Sequence, residues 1–373
     1  MKTGSRIRPL ASSVVTVIMA LAFLYPVLNQ ANAQSGHQPT EGPVFRFDPS
    51  WPKPLPDRWV TGEVAGTCVD ANDHVFIVNR SDLTPKQQKM ATPAPPVIEL
   101  DQEGNVVNSW GNPDALPASR HGCFIDYQGN FWTTGNKDGI VQKYSHDGSK
   151  LLLQIGAKDK FDTSDETITG ASMNSGHERF FDPAGIAVDP SNGDVYIADG
   201  YGNRRIVVFD RDGHFLRQWG QQATKAQTDA GVGGVFLMVV HCVVIGKDGL
   251  VYVCDRNGDR VQVFDKMGNF KRNILVESKT AQLTGIGSVT WVDFSPDPDQ
   301  KFIYVADGGD EEIRVMDHAS GKLLSTFGRP GHQVGQFENL HSLSVDSKGD
   351  IITGEAGVVG GGRRVQMFRI AGN

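Results

Sequence analysis

Short apolar runs separated by Gly, Asp and Asn dominate this chain, and they recur in a fixed order. The clearest unit spans Phe181–Gly220 and reads as four strands. The runs "GIAVD" and "DVYIAD" are joined by a Pro/Asn/Gly turn, "RIVVFD" follows a Gly-rich loop, and "HFLRQW" follows an Asp-Gly turn. Short runs rich in Val and Ile and bounded by turn formers are strand signals. The same order returns from His121 and from His241, and weaker copies start near Ala65, Ser288 and His341. A four-stranded unit cannot bury both of its faces alone, so six in series predict an all-β fold, a six-bladed β-propeller. The last copy stops after "RRVQMFRI" one strand short, and "PVFRFD" at Pro43–Asp48 is a spare strand. Pairing the two would complete the sixth blade and cover an exposed sheet edge.

The repeat register predicts where side chains meet. The residues that open the first strand in successive copies are Ala65, His121, Ala184, His241, Ser288 and His341. Histidine occupies every second blade, which sets the three imidazoles about 120° apart around a six-blade axis. Three convergent neutral imidazoles with an open fourth position make a catalytic-type zinc site. The other histidines do not share this position: His74, His146, His214 and His318 fall in or beside turns, where surface roles are expected, and His37, His177 and His332 lie in the tail or long loops. The residues that follow the second strand face the same mouth of the ring, and they are Arg80, Asn136, Gly200, Arg256, Gly308 and Ala356. Arg80 and Arg256 are three blades apart and so oppose each other, with Tyr201 one residue beyond the third blade's rim position. Two readings of the arginines stay open. They cap the ring by pairing with local carboxylates such as Asp255, or they clamp an anionic substrate through bidentate contacts. Long insertions at Gly156–Pro183, Gly220–Val240 and Gly328–Leu340 join one blade to the next and would wall a pocket over the histidines.

Composition narrows the setting. Lys2, Arg6 and Arg8 precede an apolar run from Ala11 to Tyr25, and Ala31-Asn32-Ala33 has the small-x-small pattern of a cleavage site. We therefore expect a signal peptide over residues 1–33, a flexible segment over 34–42 and the propeller over 43–373, in a periplasmic or secreted protein with no membrane attachment after cleavage. The signal holds three basic and no acidic residues, so its removal takes the formal net charge from −7 to −10. With no basic patch in the mature chain, nucleic acid is not an expected partner. Cys68, Cys123, Cys242 and Cys254 permit disulfides in an oxidising compartment without dictating a pairing. Cys242 and Cys254 are either cross-strand partners in a hairpin or buried thiols.

The repeat resembles the NHL type. The ordered set "HGCFID", "DGYGNRR", "HCVVIG…CDRNGDRVQVF" and "HSLSVD" is similar to the peptidyl-α-hydroxyglycine α-amidating lyases, over about Val64 to Phe368. That resemblance implies that His121, His241 and His341 bind zinc and that Arg80, Arg256 and Tyr201 line the site. It also implies zinc-assisted cleavage of the N–C bond of a C-terminal α-hydroxyglycine, releasing an amide and glyoxylate from a small-molecule or peptide substrate that carries a carboxylate. Tyr201 would act as general base toward the substrate hydroxyl and an arginine would hold the carboxylate; a monomer is expected. The sequence departs from the family at three places. Ser342 stands where the family has an Asp that helps hold calcium, so calcium there is not expected from a side chain. Gly202 and Val263 occupy positions of family disulfide cysteines. No copper monooxygenase domain is seen, which points to another small N- or O-substituted α-hydroxy acid as substrate. The competing readings are a lactonase-type propeller, whose calcium chemistry wants a carboxylate-rich site, and a non-catalytic propeller that binds a peptide, cell-wall fragment or protein.

Overall fold

The computed structural model describes residues 42–277, 286–357 and 362–371. The expected signal peptide and nearly all of the segment after it lie outside these residues. Six four-stranded antiparallel sheets follow one another along the chain. Blade one is Val64–Val69, Val75–Asn79, Val97–Leu100 and Val106–Trp110. Blade two is Arg120–Ile125, Phe131–Gly135, Val141–Tyr144 and Leu151–Ile155. Blade three is Pro183–Val188, Val195–Asp199, Arg205–Phe209 and Phe215–Trp219. Blade four is Val240–Ile245, Val251–Asp255, Arg260–Phe264 and Phe270–Leu275. Blade five is Val289–Phe294, Phe302–Asp307, Glu312–Asp317 and Leu323–Phe327. Blade six is Leu340–Val345, Ile351–Glu355 and Val365–Ala371, with Val44–Phe47 as its fourth strand. The first strand of each blade touches the first strands of both neighbours, the sixth returning to the first, so the ring is a six-bladed β-propeller.

Closure follows the expectation from the spare N-terminal strand. Val44 faces Ala371 and Phe47 faces Phe368 in an antiparallel pair. Phe45 then stacks on Phe327 of blade five with ring centroids 4.9 Å apart, so the closing strand also buries an aromatic against the neighbouring blade. The strand thus covers the edge of Val365–Ala371 that would otherwise be left unpaired.

An acid or amide that ends the second strand holds most blades in shape. Asp199, Asp255, Asp307 and Glu355 each receive the Nε of an arginine at or near the start of the third strand, Arg205, Arg260, Arg314 and Arg364, at 2.9, 2.8, 2.7 and 2.6 Å. Three of these side chains also accept a backbone N–H from the loop entering the first strand: Phe181 to Asp199, Leu237 to Asp255 and Glu338 to Glu355. Asn79 does this for Gly62 in blade one. Removing one partner of such a buried pair leaves an uncompensated charge, at a cost of about 3–5 kcal/mol.

Near the axis the first strands are pressed together. A Cβ on Gly66 would lie 2.5 Å from the His121 carbonyl oxygen, and one on Gly122 would lie 2.6 Å from that of Ala184. Glycine is required at both places by close backbone approach. The disulfide Cys68–Cys123 links the first strands of blades one and two, and Cys242–Cys254 is the cross-strand hairpin pairing within blade four. In blade five the register corrects the sequence reading. The strand opens at Val289, so Thr290 and not Ser288 holds the place equivalent to the histidines.

Replacing Cys68 and Cys123 together by Ser should lower the unfolding free energy by about 2–4 kcal/mol, through release of a long loop in the unfolded chain. Urea denaturation at equilibrium reads this, and an unchanged midpoint would show that strand contacts alone hold these blades.

Candidate functional site

Each histidine sits at an irregularity in its strand. The pairing of first and second strands skips between Arg120 and Cys123, between Val240 and Val243, and between Leu340 and Ser342. Such bulges re-aim a side chain out of the regular alternation, and here His121, His241 and His341 turn together. Their ring centroids are 4.7, 4.6 and 4.8 Å apart, a nearly equilateral triangle. All three rings are buried.

The outer nitrogen of every ring is fixed by the blade that follows it. Nδ1 of His121 donates to the Ala184 carbonyl at 3.0 Å, that of His241 to Thr290 at 2.6 Å and that of His341 to Ala65 at 2.8 Å. A carbonyl oxygen only accepts, so each Nδ1 carries the proton and each Nε2 presents a lone pair. Burial, aided by mutual repulsion, holds His121 well below the usual imidazole range. Burial does the same for His241, with His341 and Arg256 adding to it, and it takes His341 to about 3, with Arg80 as the next cause. The imidazoles are neutral at any physiological pH. Tyr201 Oη lies 3.0 Å from Nε2 of both His121 and His241. One hydroxyl proton cannot satisfy two lone pairs, and His341 Nε2 takes no hydrogen bond from the described residues. The three residues can present ligand atoms within 4.8 Å of one another, and the unmet lone pairs of this buried set fit a metal ion.

The rim residues arrive where the register places them, directly after the second strands. Arg256 donates Nη1 to the Tyr201 hydroxyl at 3.3 Å, and its guanidinium carbon lies 5.4 Å from the centre of that ring. Arg80 donates Nε to the Arg120 carbonyl at 3.1 Å and pairs through Nη1 with the buried carboxylate of Glu63. The capping reading is thus half realised, with a different acid. Asp255 belongs to Arg260 and not to Arg256. Both arginines help to hold His241 and His341 below the usual imidazole range. Asn136, Gly200, Gly308 and Ala356 take the remaining rim positions.

Sequence reasoning missed Glu63 and Arg204. Arg204 donates to the carbonyls of Gly200, Tyr201 and Leu237 at 2.9, 3.1 and 3.2 Å, and so holds the loop that carries Tyr201. Its adjacency to Tyr201 in "DGYGNRR" was the available signal. Within the same loop, a Cβ on Gly202 would meet the Phe181 ring at 2.1 Å, so no cysteine fits there. Val263 is buried in blade four. Ser342 is buried, its hydroxyl 3.4 Å from that of Thr67, and brings no carboxylate to the axis. At the far end of the channel a cavity of about 110 Å³ is lined by Thr67, Trp291, Asp293 and Ser344 among others. The Asp293 carboxylate accepts N–H groups from Phe294 and Val345 at 2.8 and 2.9 Å, and burial raises it to about 7. The surface expectation for His318 is corrected. It is buried, with Nδ1 on the Gln300 carbonyl at 2.7 Å and Nε2 against the Tyr252 hydroxyl at 2.5 Å.

Comparison with known proteins finds NHL-repeat and amidating-lyase relatives. A profile of the NHL repeat matches residues 180–209. Peptidyl-glycine alpha-amidating monooxygenase B of Xenopus laevis is 26% identical over 315 residues, covering 79% of this chain and 33% of that protein. A probable peptidyl-alpha-hydroxyglycine alpha-amidating lyase of Caenorhabditis elegans is 24% identical over 306 residues, covering 77% of this chain and 78% of that one. The chain spans about a third of the length of the amidating monooxygenases it matches. A streptogramin B lyase structure superposes with a TM-score of 0.52 at 14% identity, over 88% of each chain, and shows the fold alone. The chain resembles the amidating lyases. Its two disulfides point to an oxidising, extracellular type of environment, and no helix among the described residues is long and apolar enough to cross a membrane.

The lowered imidazole values predict a pH dependence. In the metal-free protein a histidine that titrates near 6.5 when unfolded and near 3 when folded binds more protons unfolded between those values. Its contribution is present above pH 6.5 and is lost as the pH falls toward 3. Each such residue adds up to about 1.4 kcal/mol per pH unit. Urea unfolding with chelator at pH 6.5, 5.5 and 4.5 should lose stability less steeply in His341→Asn than in the parent, and equal slopes would contradict the assignment.

Proposed function

We propose that this protein is a zinc-dependent carbon–nitrogen lyase of the periplasm or cell exterior, acting on a C-terminal α-hydroxyglycine or a similar small α-hydroxy acid. The observation that carries the reading is the convergence of three buried, Nδ1-protonated imidazoles on one point beside Tyr201 and two arginines. The likeness to amidating lyases supports the same chemistry. A non-catalytic binding propeller leaves that convergence without a purpose.

His121, His241 and His341 would hold zinc through Nε2, a donor set suited to a catalytic site with an open position. Bound there, zinc supplies Lewis acidity toward the substrate hydroxyl. The chain's own groups do the rest. Arg80, aligned by Glu63 and the Arg120 carbonyl, binds the substrate carboxylate. Tyr201, held by Arg256 against the imidazoles, would receive the proton of the substrate hydroxyl in its phenolate form. As the carbon–oxygen double bond forms, the carbon–nitrogen bond breaks and its electron pair goes to the amide nitrogen. That nitrogen takes up the proton, and the products are an amide and glyoxylate. Both arginines also favour entry of an anionic substrate into this mouth.

Glyoxylate release from α-hydroxyhippurate is the direct test, run with and without a chelator. His241→Ala should lose both retained zinc and turnover, and full activity in a metal-free variant would sink the mechanism. Zinc retained without any glyoxylate would discard the substrate class. Tyr201→Phe should lower kcat about 100-fold or more, the usual scale for losing a general base, with little change in KM. Arg80→Ala should act mainly by raising KM.

A further inference from the structure

The turns that join first to second and third to fourth strands lie at the opposite end of the ring from the three histidines. There, two carboxylates and two imidazoles come together at the seam between blades one and two. Asp70 and Glu99 belong to blade one, and their side chains are 3% and 6% exposed. His146, from the last turn of blade two, places Nε2 3.0 Å from Asp70 Oδ2. His74 places Nδ1 2.7 Å from Glu99 Oε1. Asp70, Glu99 and His146 can each present a ligand atom within 4.8 Å of the others. From Asp70, Glu99 and His146, with His74 held on Glu99, we infer a second divalent transition-metal site of the zinc class, remote from the reaction centre.

Four observations support it. First, the acids have no permanent cation beside them. Among the described residues no lysine or arginine pairs with Asp70 or Glu99, and their only ionisable partners are the two imidazoles. Two nearly buried carboxylates thus share one seam without a permanent cation, a charge that a dication would answer. Second, the donors are already aimed. Asp70 Oδ1 accepts the N–H groups of Asn72 and His74 at 2.8 Å each, which turns Oδ2 toward His146. The His146 ring lies edge-on to Phe76, centroids 5.2 Å apart. Supporting contacts of this kind orient metal ligands.

Third, the fold meets the same need differently elsewhere. At the seam of blades three and four the corresponding acid is Asp189, and the corresponding turn residue is Lys266, paired at 2.6 Å. A lysine suffices for an ion pair; the first seam instead carries two imidazoles and a second carboxylate. Fourth, the size is right. Zinc bonds of about 2.0 Å set tetrahedral ligand atoms roughly 3.3 Å apart, so side-chain shifts of about an ångström assemble the site. Mixed imidazole and carboxylate donors favour zinc-class ions over calcium. The ion would cross-link the blades already joined by Cys68–Cys123.

The test uses the full chain, stripped with a chelator, reloaded with excess Zn²⁺, dialysed and assayed for metal by mass spectrometry. Wild type should retain two zinc ions per chain, His146→Ala one, His121→Ala one, and the double variant none. His146→Lys copies the blade three and four seam and keeps the ion pair, so it guards against a folding defect. It should also retain one zinc, with glyoxylate release at the wild-type level and with part of the zinc-induced rise in Tm lost. Equal zinc retention in wild type and His146→Lys, whatever the total, would overturn the inference. Because His121→Ala and His146→Lys each report on a different ion, loss of the reaction-centre reading and loss of this one are separately visible.

Discussion

The bond from each histidine Nδ1 to a carbonyl of the next blade is the contact on which this molecule turns. It ties alternate seams of the ring at the axis, and in the same act it decides which nitrogen faces inward. The carbonyl can only accept, so the proton has one place to be and the lone pair has the other. A bulge at the start of each innermost strand makes this possible, by freeing one residue from the ladder. Blade packing and ligand geometry are therefore a single constraint. A change that loosens a seam would move a donor.

Electrostatics at the site have the same economy. Burial strips the imidazoles of protons, and Arg80 and Arg256 reinforce this from the rim. The result is a mouth with cations at its edge and neutral donors at its floor, suited to a metal below and a carboxylate above. Glu63 and Arg204 hold this arrangement from behind. Glu63 pairs with Arg80, and Arg204 gathers the carbonyls of the Tyr201 loop. Neither carries a motif of its own, since each acts by reaching a neighbour that lies elsewhere in the chain or the loop.

Blade order, ring closure and the alternation of histidines were legible because a repeat copies its register. Once one unit is parsed, equivalent residues follow in the others. The fifth blade shows where this stops: its opening is displaced by two residues, and only the strand pairing places Thr290 opposite the last residues of the second strand. His318 and His146 show a second limit. Both occur in turns, where exposure is the ordinary expectation, yet one is buried against Tyr252 and the other faces a carboxylate of the neighbouring blade. Contacts between blades join residues far apart in sequence, and local pattern carries no information about them.

By itself, then, the sequence determined the strands, their sixfold repetition and the recurrence of histidine at one register position, because these follow from local alternation and turn chemistry. The tertiary structure decided which lone pairs converge, which acid answers each arginine, which cysteines pair and which turn histidines meet carboxylates. The physical reason is that each depends on the distance between side chains of different blades, and that distance exists only once the ring has closed.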